Sequence, residues 1–256
     1  MGRIIAIASG KGGVGKTTLT ANLGLAIAKL GKKTVMVDAD LDMANLELVL
    51  GMEGRPITLQ DVLSGEAVLE DATYEVIPNG YFIPAGISPS QFKRVDPEKL
   101  SSLMKELGKS FDFVLLDVPA GIGRDAIACF SASKETILIV TPDPLSIADA
   151  YKTSVVASKM GSELIGIIMN FITGSKKELS EKDITSILDA PVIGKIKTDE
   201  KIAESVIKGK PIITNDPESE PAKEIMKIAS RLTGIAYIEE KHKKSLLSKL
   251  FGFLKR

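Results

Sequence analysis

At 256 residues, 44% apolar and 5% aromatic with no Trp, the chain has room for one large α/β domain built on an aliphatic core. One Cys excludes an intramolecular disulfide framework and suits a reducing cytosol, and one Cys with one His leaves no residues for a zinc site or a covalent triad. The formal net charge of +0 conceals an asymmetry: residues 241–256 hold six Lys/Arg and no acid, leaving 27 basic and 33 acidic side chains to the rest, a poor balance for a general nucleic-acid binder.

Met1-Gly2-Arg3 runs straight into the first predicted strand, Ile4 to Ala8, with no secretory signal ahead of it. Then come Gly10-Lys11-Gly12-Gly13-Val14-Gly15-Lys16-Thr17-Thr18 and a helical period from Leu19 to Leu30. Strand, glycine loop and helix in this order, with GxxxxGK[ST] met in full, make a phosphate-binding P-loop. Gly12, Gly13 and Gly15 are expected to take dihedrals that a Cβ forbids and to let the backbone approach a polyphosphate. Successive N–H groups form an anion nest at a helix N-terminus, where the macrodipole favours negative charge. Lys16 is placed to reach the β- and γ-phosphates of ATP, and the Thr17 hydroxyl to ligate Mg²⁺.

Lys11 is a second lysine in this loop; alone, it reads as a solvated side chain. The run from Lys11 to Thr18, KGGVGKTT, resembles the deviant Walker A motif of the ParA/MinD family of P-loop ATPases. The resemblance implies that Lys11 reaches across a dimer interface to the partner's nucleotide, so that ATP holds two subunits face to face. Lys11, Lys16 and Asp40 are then the expected catalytic residues.

Gly31 is the predicted C-cap of the first helix, and Thr34 to Asp38 the second strand. Short β-branched runs recur at Phe113 to Leu116, Thr136 to Val140, Leu164 to Met169 and Val192 to Gly194, separated by helical periods that include residues 97–109, 145–160 and 180–188. Such runs are what strands buried on both faces require. The alternation predicts a doubly wound, mostly parallel sheet of about seven or eight strands flanked by helices, with the ligand loops at the strands' C-terminal ends. One domain is expected over residues 1–236, followed over 237–256 by a basic connector and an amphipathic helix. Residues 72–84 break the rhythm, because Tyr74 to Ile77 and Tyr81 to Pro84 flank Pro78-Asn79-Gly80, a hairpin signal.

Beyond the second strand, Asp38 and Asp40 lie two residues apart on an extended chain, on one side and able to face a magnesium–phosphate site. A capping cluster before a short helix would use the same residues. The stretch from Val37 to Leu46 is similar to switch I of the MinD branch, which implies that Asp40 orients the attacking water and Asp38 supports the water shell of Mg²⁺. Asp42 departs from that pattern. Phe111 to Asp117 is a Walker B strand whose final acid stands beside Mg²⁺. The following Val118-Pro119-Ala120-Gly121-Ile122-Gly123 resembles switch II, with Gly123 where many relatives carry Glu. By the same resemblance Asn170 reads adenine, and Asp199 belongs to an adenine loop whose usual proline is missing. Asp143 and Asp149 resemble positions of the dimer face and the partner-binding helix, though an exposed Asp opening a helix accounts for them as well. Cys129 reads as a small buried apolar residue and His242 as solvated.

In the tail, Leu246, Leu247, Leu250, Phe251, Phe253 and Leu254 fall within an arc of roughly 160° at about 100° per residue. A helix over 241–256 is only about 24 Å long and too charged to span a bilayer. Its form is that of an interfacial anchor among anionic headgroups, or of a helix docked on the body. MinD proteins end in a similar membrane-targeting helix. The resemblance thus implies an ATPase that binds ATP and Mg²⁺ and dimerises. It would attach to anionic lipid on the inner face of the cytoplasmic membrane, leave after hydrolysis and answer to a protein regulator in placing the division site. A flagellar-number or other polar positioning ATPase shares these motifs and the tail. A ParA-type partitioning ATPase needs a basic body, and an iron–sulfur carrier needs paired cysteines. No sequence-specific nucleic acid is expected as partner.

Overall fold

A computed structural model describes residues 1–41, 43–86 and 96–239. In chain order these form β1 (Arg3–Ala8), α1 (Lys16–Lys29), β2 (Thr34–Asp38), α2 (Leu46–Leu50), α3 (Leu59–Ser64), β3 (Tyr74–Ile77) and β4 (Gly80–Ile83). There follow α4 (Pro97–Ser110), β5 (Phe113–Asp117), α5 (Arg124–Ala132), β6 (Glu135–Val140), α6 (Pro144–Lys159) and β7 (Glu163–Ile172). The last elements are α7 (Glu181–Leu188), β8 (Val192–Lys197), α8 (Glu200–Ile207), α9 (Ile212–Asn215) and α10 (Glu220–Thr233).

The strands make one eight-stranded sheet in the order β3-β4-β2-β5-β1-β6-β7-β8. Every pairing is parallel except β3 with β4, the hairpin expected over residues 72–84, whose turn takes Asn79 to φ 66°. β2 and β5 are buried throughout, and β1 and β6 at all but their first residue, which is why their sequences carry no polar alternation. From β1 the chain builds outward through β2 to β4, returns to β5, and then builds β6, β7 and β8 on the other side. The reversal lies at β1, and the crevice at such a switch point is where open α/β sheets bind ligands.

Two aliphatic layers cover the sheet. One is formed with α1, α2, α8, α9 and α10, the other with α3, α4, α5, α6 and α7. α1 is buried on nearly every side. It lies close on β2 through Gly24, where a Cβ would meet Met36 Cγ at 2.4 Å. Asn22, also fully buried, donates to Thr18 O at 2.8 Å and accepts from Ile213 N at 3.0 Å, so the helix that carries the P-loop is tied to α9.

α10 ends at Gly234, φ 71°, and the chain folds back along it: Ser230 Oγ donates to Ile235 O and accepts from Tyr237 N, and Glu239 pairs with Lys227 at 3.0 Å. No helix among the described residues is long and apolar enough to cross a membrane. The tail expected to be amphipathic, with Leu246, Leu247, Leu250, Phe251, Phe253 and Leu254, lies outside the described residues, as does Asp42.

Candidate functional site

The P-loop joins the end of β1 to α1. Gly13 and Gly15 take φ of 77° and 86°, in the left-handed region open mainly to glycine. Gly12 does not: its φ is ordinary, and a Cβ there would meet no described protein atom within 4 Å, so neither its dihedral nor packing within the chain requires glycine. Gly10, by contrast, is required by packing, since a Cβ would lie 2.3 Å from the backbone carbon of Asp149 on α6. Gly15 is the N-cap of α1 and supplies no side-chain cap. The first turn of a 14-residue helix therefore opens toward the glycine loop with its N–H groups uncapped by a side chain, the arrangement that takes an anion.

Behind the loop stands Asp117, at the end of β5 and 1% exposed. The parallel register sets it beside Ile7 of β1 and Asp38 of β2. Its Oδ1 accepts from Lys16 Nζ and from Thr20 Oγ1, each at 2.8 Å, and its Oδ2 from Thr17 Oγ1 at 2.7 Å. The expected phosphate lysine, metal hydroxyl and Walker B acid are thus one cluster, buried except at Thr17, with Thr20 as an additional member. Thr20 lies one helical turn beyond Lys16, on the same face of α1.

Asp38 is also 1% exposed. Its Oδ1 accepts from Asp40 N at 3.1 Å, and its Oδ2 from Asn45 N at 3.2 Å and Leu46 N at 3.0 Å. One buried carboxylate thus holds the segment after β2 and the start of α2. Burial, with the charge of Asp117 added, pushes its pKa up to about 7, against the backbone N–H donors and Lys16, which pull it down. Asp40 accepts from Met43 N at 3.1 Å through its own Oδ1, at the half-buried rim of the same edge.

Lys11 leaves its own phosphate loop and pairs with Asp143, Nζ to Oδ2 at 3.1 Å, with both side chains part-exposed. Asp143 caps α6 by accepting from Ser146 N at 2.9 Å, and also accepts from Thr141 Oγ1. Burial works to raise its pKa, but these hydrogen bonds and Lys11 hold the carboxyl below its ordinary value. Asp149, on the same helix, pairs with Lys152 at 3.0 Å.

Asn170, 3% exposed, donates through Nδ2 to Val14 O at 2.8 Å and so fastens the loop crest to β7. Its Oδ1 is buried without a hydrogen-bond partner among the described residues. Asp199 caps α8, accepting from Lys201 N at 2.9 Å, and Thr198 N bonds Ile172 O at 3.0 Å, which joins that loop to the end of β7. Gly10 to Thr18, Asp38, Asp40, Asp117 and Asn170 are thus gathered along one edge of the sheet. Gly121, φ 85°, brings the candidate switch II loop to that edge by donating to Ser9 O at 2.9 Å. Gly123 opens α5 as its N-cap. Thr20, the pairing of Asp143 with Lys11, and Phe171 beside Asn170 are contributions that the sequence motifs did not assign, although Asp143 itself stood out by resemblance and Thr20 had a signal in its spacing from Lys16.

The ParA family, described as NUBPL iron-transfer P-loop NTPase, matches residues 1–233. The chain is 43% identical over 254 residues to an uncharacterised ATP-binding protein of Methanocaldococcus jannaschii, covering 97% of this chain and 96% of that one. It is 36% identical over 241 residues to the septum site-determining protein MinD of Synechocystis, covering 91% and 90%. The septum site-determining protein MinD of Pyrococcus horikoshii, solved in complex with Mg-ADP, superposes with a TM-score of 0.87 at 39% identity, covering 93% of this chain and all of that one. The family match over residues 1–233, these identities over nearly the whole chain and this superposition place the chain: it belongs to the ParA/MinD family of P-loop ATPases, whose cofactors are ATP and Mg²⁺.

Proposed function

We propose that this chain is a MinD-like positioning ATPase that dimerises when it binds ATP, attaches to the inner face of the cytoplasmic membrane through its C-terminal segment, and releases on hydrolysis to regulate where the cell divides. The observation that carries this reading is Lys11. It stands at the rim of the loop, half-exposed and paired with Asp143, while Lys16 alone enters its own cluster. A loop cation paired outside its own lysine–carboxylate cluster supports a role toward a second subunit.

Within the site the proposed division of labour draws on the geometry for the phosphates and on the family resemblance for water and adenine. The uncapped N–H groups of α1 and the Lys16 ammonium would take the phosphates, with Lys16 exchanging Asp117 for them. Thr17 would ligate Mg²⁺, which neutralises charge on the β- and γ-phosphates, with Asp117 and Asp38 behind it. Asp40 would hold and orient the attacking water, and Asn170 and Asp199 would face adenine. An orphaned, buried Asn170 Oδ1 and an open glycine loop are features that such a ligand would complete.

Iron transfer, which the matched family's description names, finds no support in the one cysteine. Cys129 lies on α5 and is fully buried in the aliphatic layer, and burial pushes its thiol well up, away from the thiolate that ligates metal.

Co-sedimentation with vesicles in ATP, in ADP and without nucleotide, on anionic and then neutral lipid, tests the proposal. Attachment in ATP to anionic lipid is expected, and protein that stays in the supernatant in all conditions would reject the membrane step.

A further inference from the structure

Phe171 follows Asn170 in β7 and departs from strand conformation. In a regular strand the two side chains would point to opposite faces of the sheet. Phe171 instead takes φ 55°, a left-handed position that is an outlier for a bulky aromatic residue. The pairing of β7 with β8 is irregular at the same point, with a register shift between Met169 and Ile172. The ring is not taken into the core, since Phe171 is 39% exposed. The turn brings it against the phosphate loop: a Cβ on Gly15 would lie 3.5 Å from Phe171 Cζ and 2.4 Å from Asn170 Nδ2. Two consecutive residues of β7 therefore converge on one glycine, the first with a buried unpartnered carbonyl oxygen and the second with an exposed aromatic face.

Strained backbone that carries an exposed ring to the rim of a ligand site is an arrangement that ligand clamps hold. We propose that Phe171 is the platform for the nucleobase, its ring stacking on the base while the loop at Gly15 takes the phosphates. The inference rests on the nucleotide site described above and adds to it a residue that contributes affinity. It contributes no choice of base, because every base has a π face and stacking is tolerant of sequence.

Titration calorimetry with Mg²⁺ and either ATP or inorganic tripolyphosphate separates the base from the phosphates. Phe171→Ala should weaken ATP by about 10- to 100-fold, the range of one base–aromatic stack. It should leave tripolyphosphate within about 2-fold, since the phosphate nest is untouched. Phe171→Tyr should keep the ATP affinity of the natural chain. Phe171→Gly should lose ATP as the alanine variant does but melt no lower than it, because glycine takes this φ without strain. The proposal fails if Phe171→Ala binds ATP like the natural chain. It fails equally if ATP and tripolyphosphate weaken together, for the ring would then only shape the loop. A natural chain that bound neither would instead remove the nucleotide site itself, and the platform with it.

Discussion

Replacing Lys16 by Ala should damage the empty protein as well as its nucleotide binding. The Lys16 ammonium and the Asp117 carboxylate meet at 2.8 Å with side-chain exposures of 8% and 1%. Removing one member of so buried a pair leaves an uncompensated charge, which typically costs about 3–5 kcal/mol. Thr17 and Thr20 would still donate to Asp117, at 2.7 and 2.8 Å, so the loss belongs near the lower end, about 3 kcal/mol. For a chain of this size that is a fall in Tm of about 6–12 °C. Differential scanning calorimetry without nucleotide or metal measures it. The double variant Lys16→Met with Asp117→Asn should recover much of the loss, since the charge left behind is then gone. A Lys16→Ala protein that melts with the natural chain would show that the pair contributes nothing to the fold.

Asp40→Ala should bind ATP but turn over slowly and accumulate as dimer, whereas Lys11→Ala should remain monomeric in ATP; light scattering on both decides it, and a normally dimerising Lys11→Ala protein removes the trans-lysine. Asp38 gives a pH signature: its pKa rises from an ordinary 3.8 to about 7 on folding, so the folded state keeps a proton that the unfolded chain releases. Stability should therefore fall as pH rises between those two values and then level off. Urea midpoints of metal-free protein at pH 5 and pH 8 should show the decline, and Asp38→Asn should flatten it; equal slopes would refute the account. Deleting residues 243–256 should leave ATP-driven dimerisation intact and abolish vesicle binding, and Leu250→Glu should do nearly the same. A truncated protein that unfolds would make the segment a structural element.

Much of this site is legible in the sequence because it is written in local terms. A glycine loop between a buried strand and a helix shows by its spacing, and the acids at the ends of β2 and β5 take their meaning from following it and from the family resemblance. The parallel register then makes neighbours of Asp38 and Asp117, 79 positions apart in the chain. The buried strands show as short apolar runs, and the helices α1, α4, α6 and α7 show by period. Short α2 and α9, of five and four residues, offer no period to read, and their backbone is held by distant side chains, Asp38 and Asn22. Gly10 shows the same limit from the other side. It reads as the first letter of a loop motif, but its necessity comes from the α6 backbone pressed against it, a contact only the fold creates. Phe171 is invisible in advance for a related reason: strand alternation assigns it the opposite face, and a bulged end overrules it.

The two lysines of the loop differ in what they hold, and stability data should separate them. Lys11 and Asp143 meet at 3.1 Å but keep side-chain exposures of 37% and 41%, so solvent screens the pair. Such an ion pair is worth about 0–1 kcal/mol. Asp143 would not be stranded by its loss, because Thr141 and Ser146 already bond its oxygens and it remains in contact with water. Lys11→Ala should accordingly shift Tm by no more than about 4 °C, where Lys16→Ala shifts it by about 6 °C or more. The same weakness matters for function. On the proposed trans role, a hold this slight would be readily given up when Lys11 met the several negative charges of a partner's nucleotide. If Lys11→Ala lowered Tm as far as Lys16→Ala, the Asp143 pair would be a structural bond, and a lysine so held would not be free to cross to another subunit.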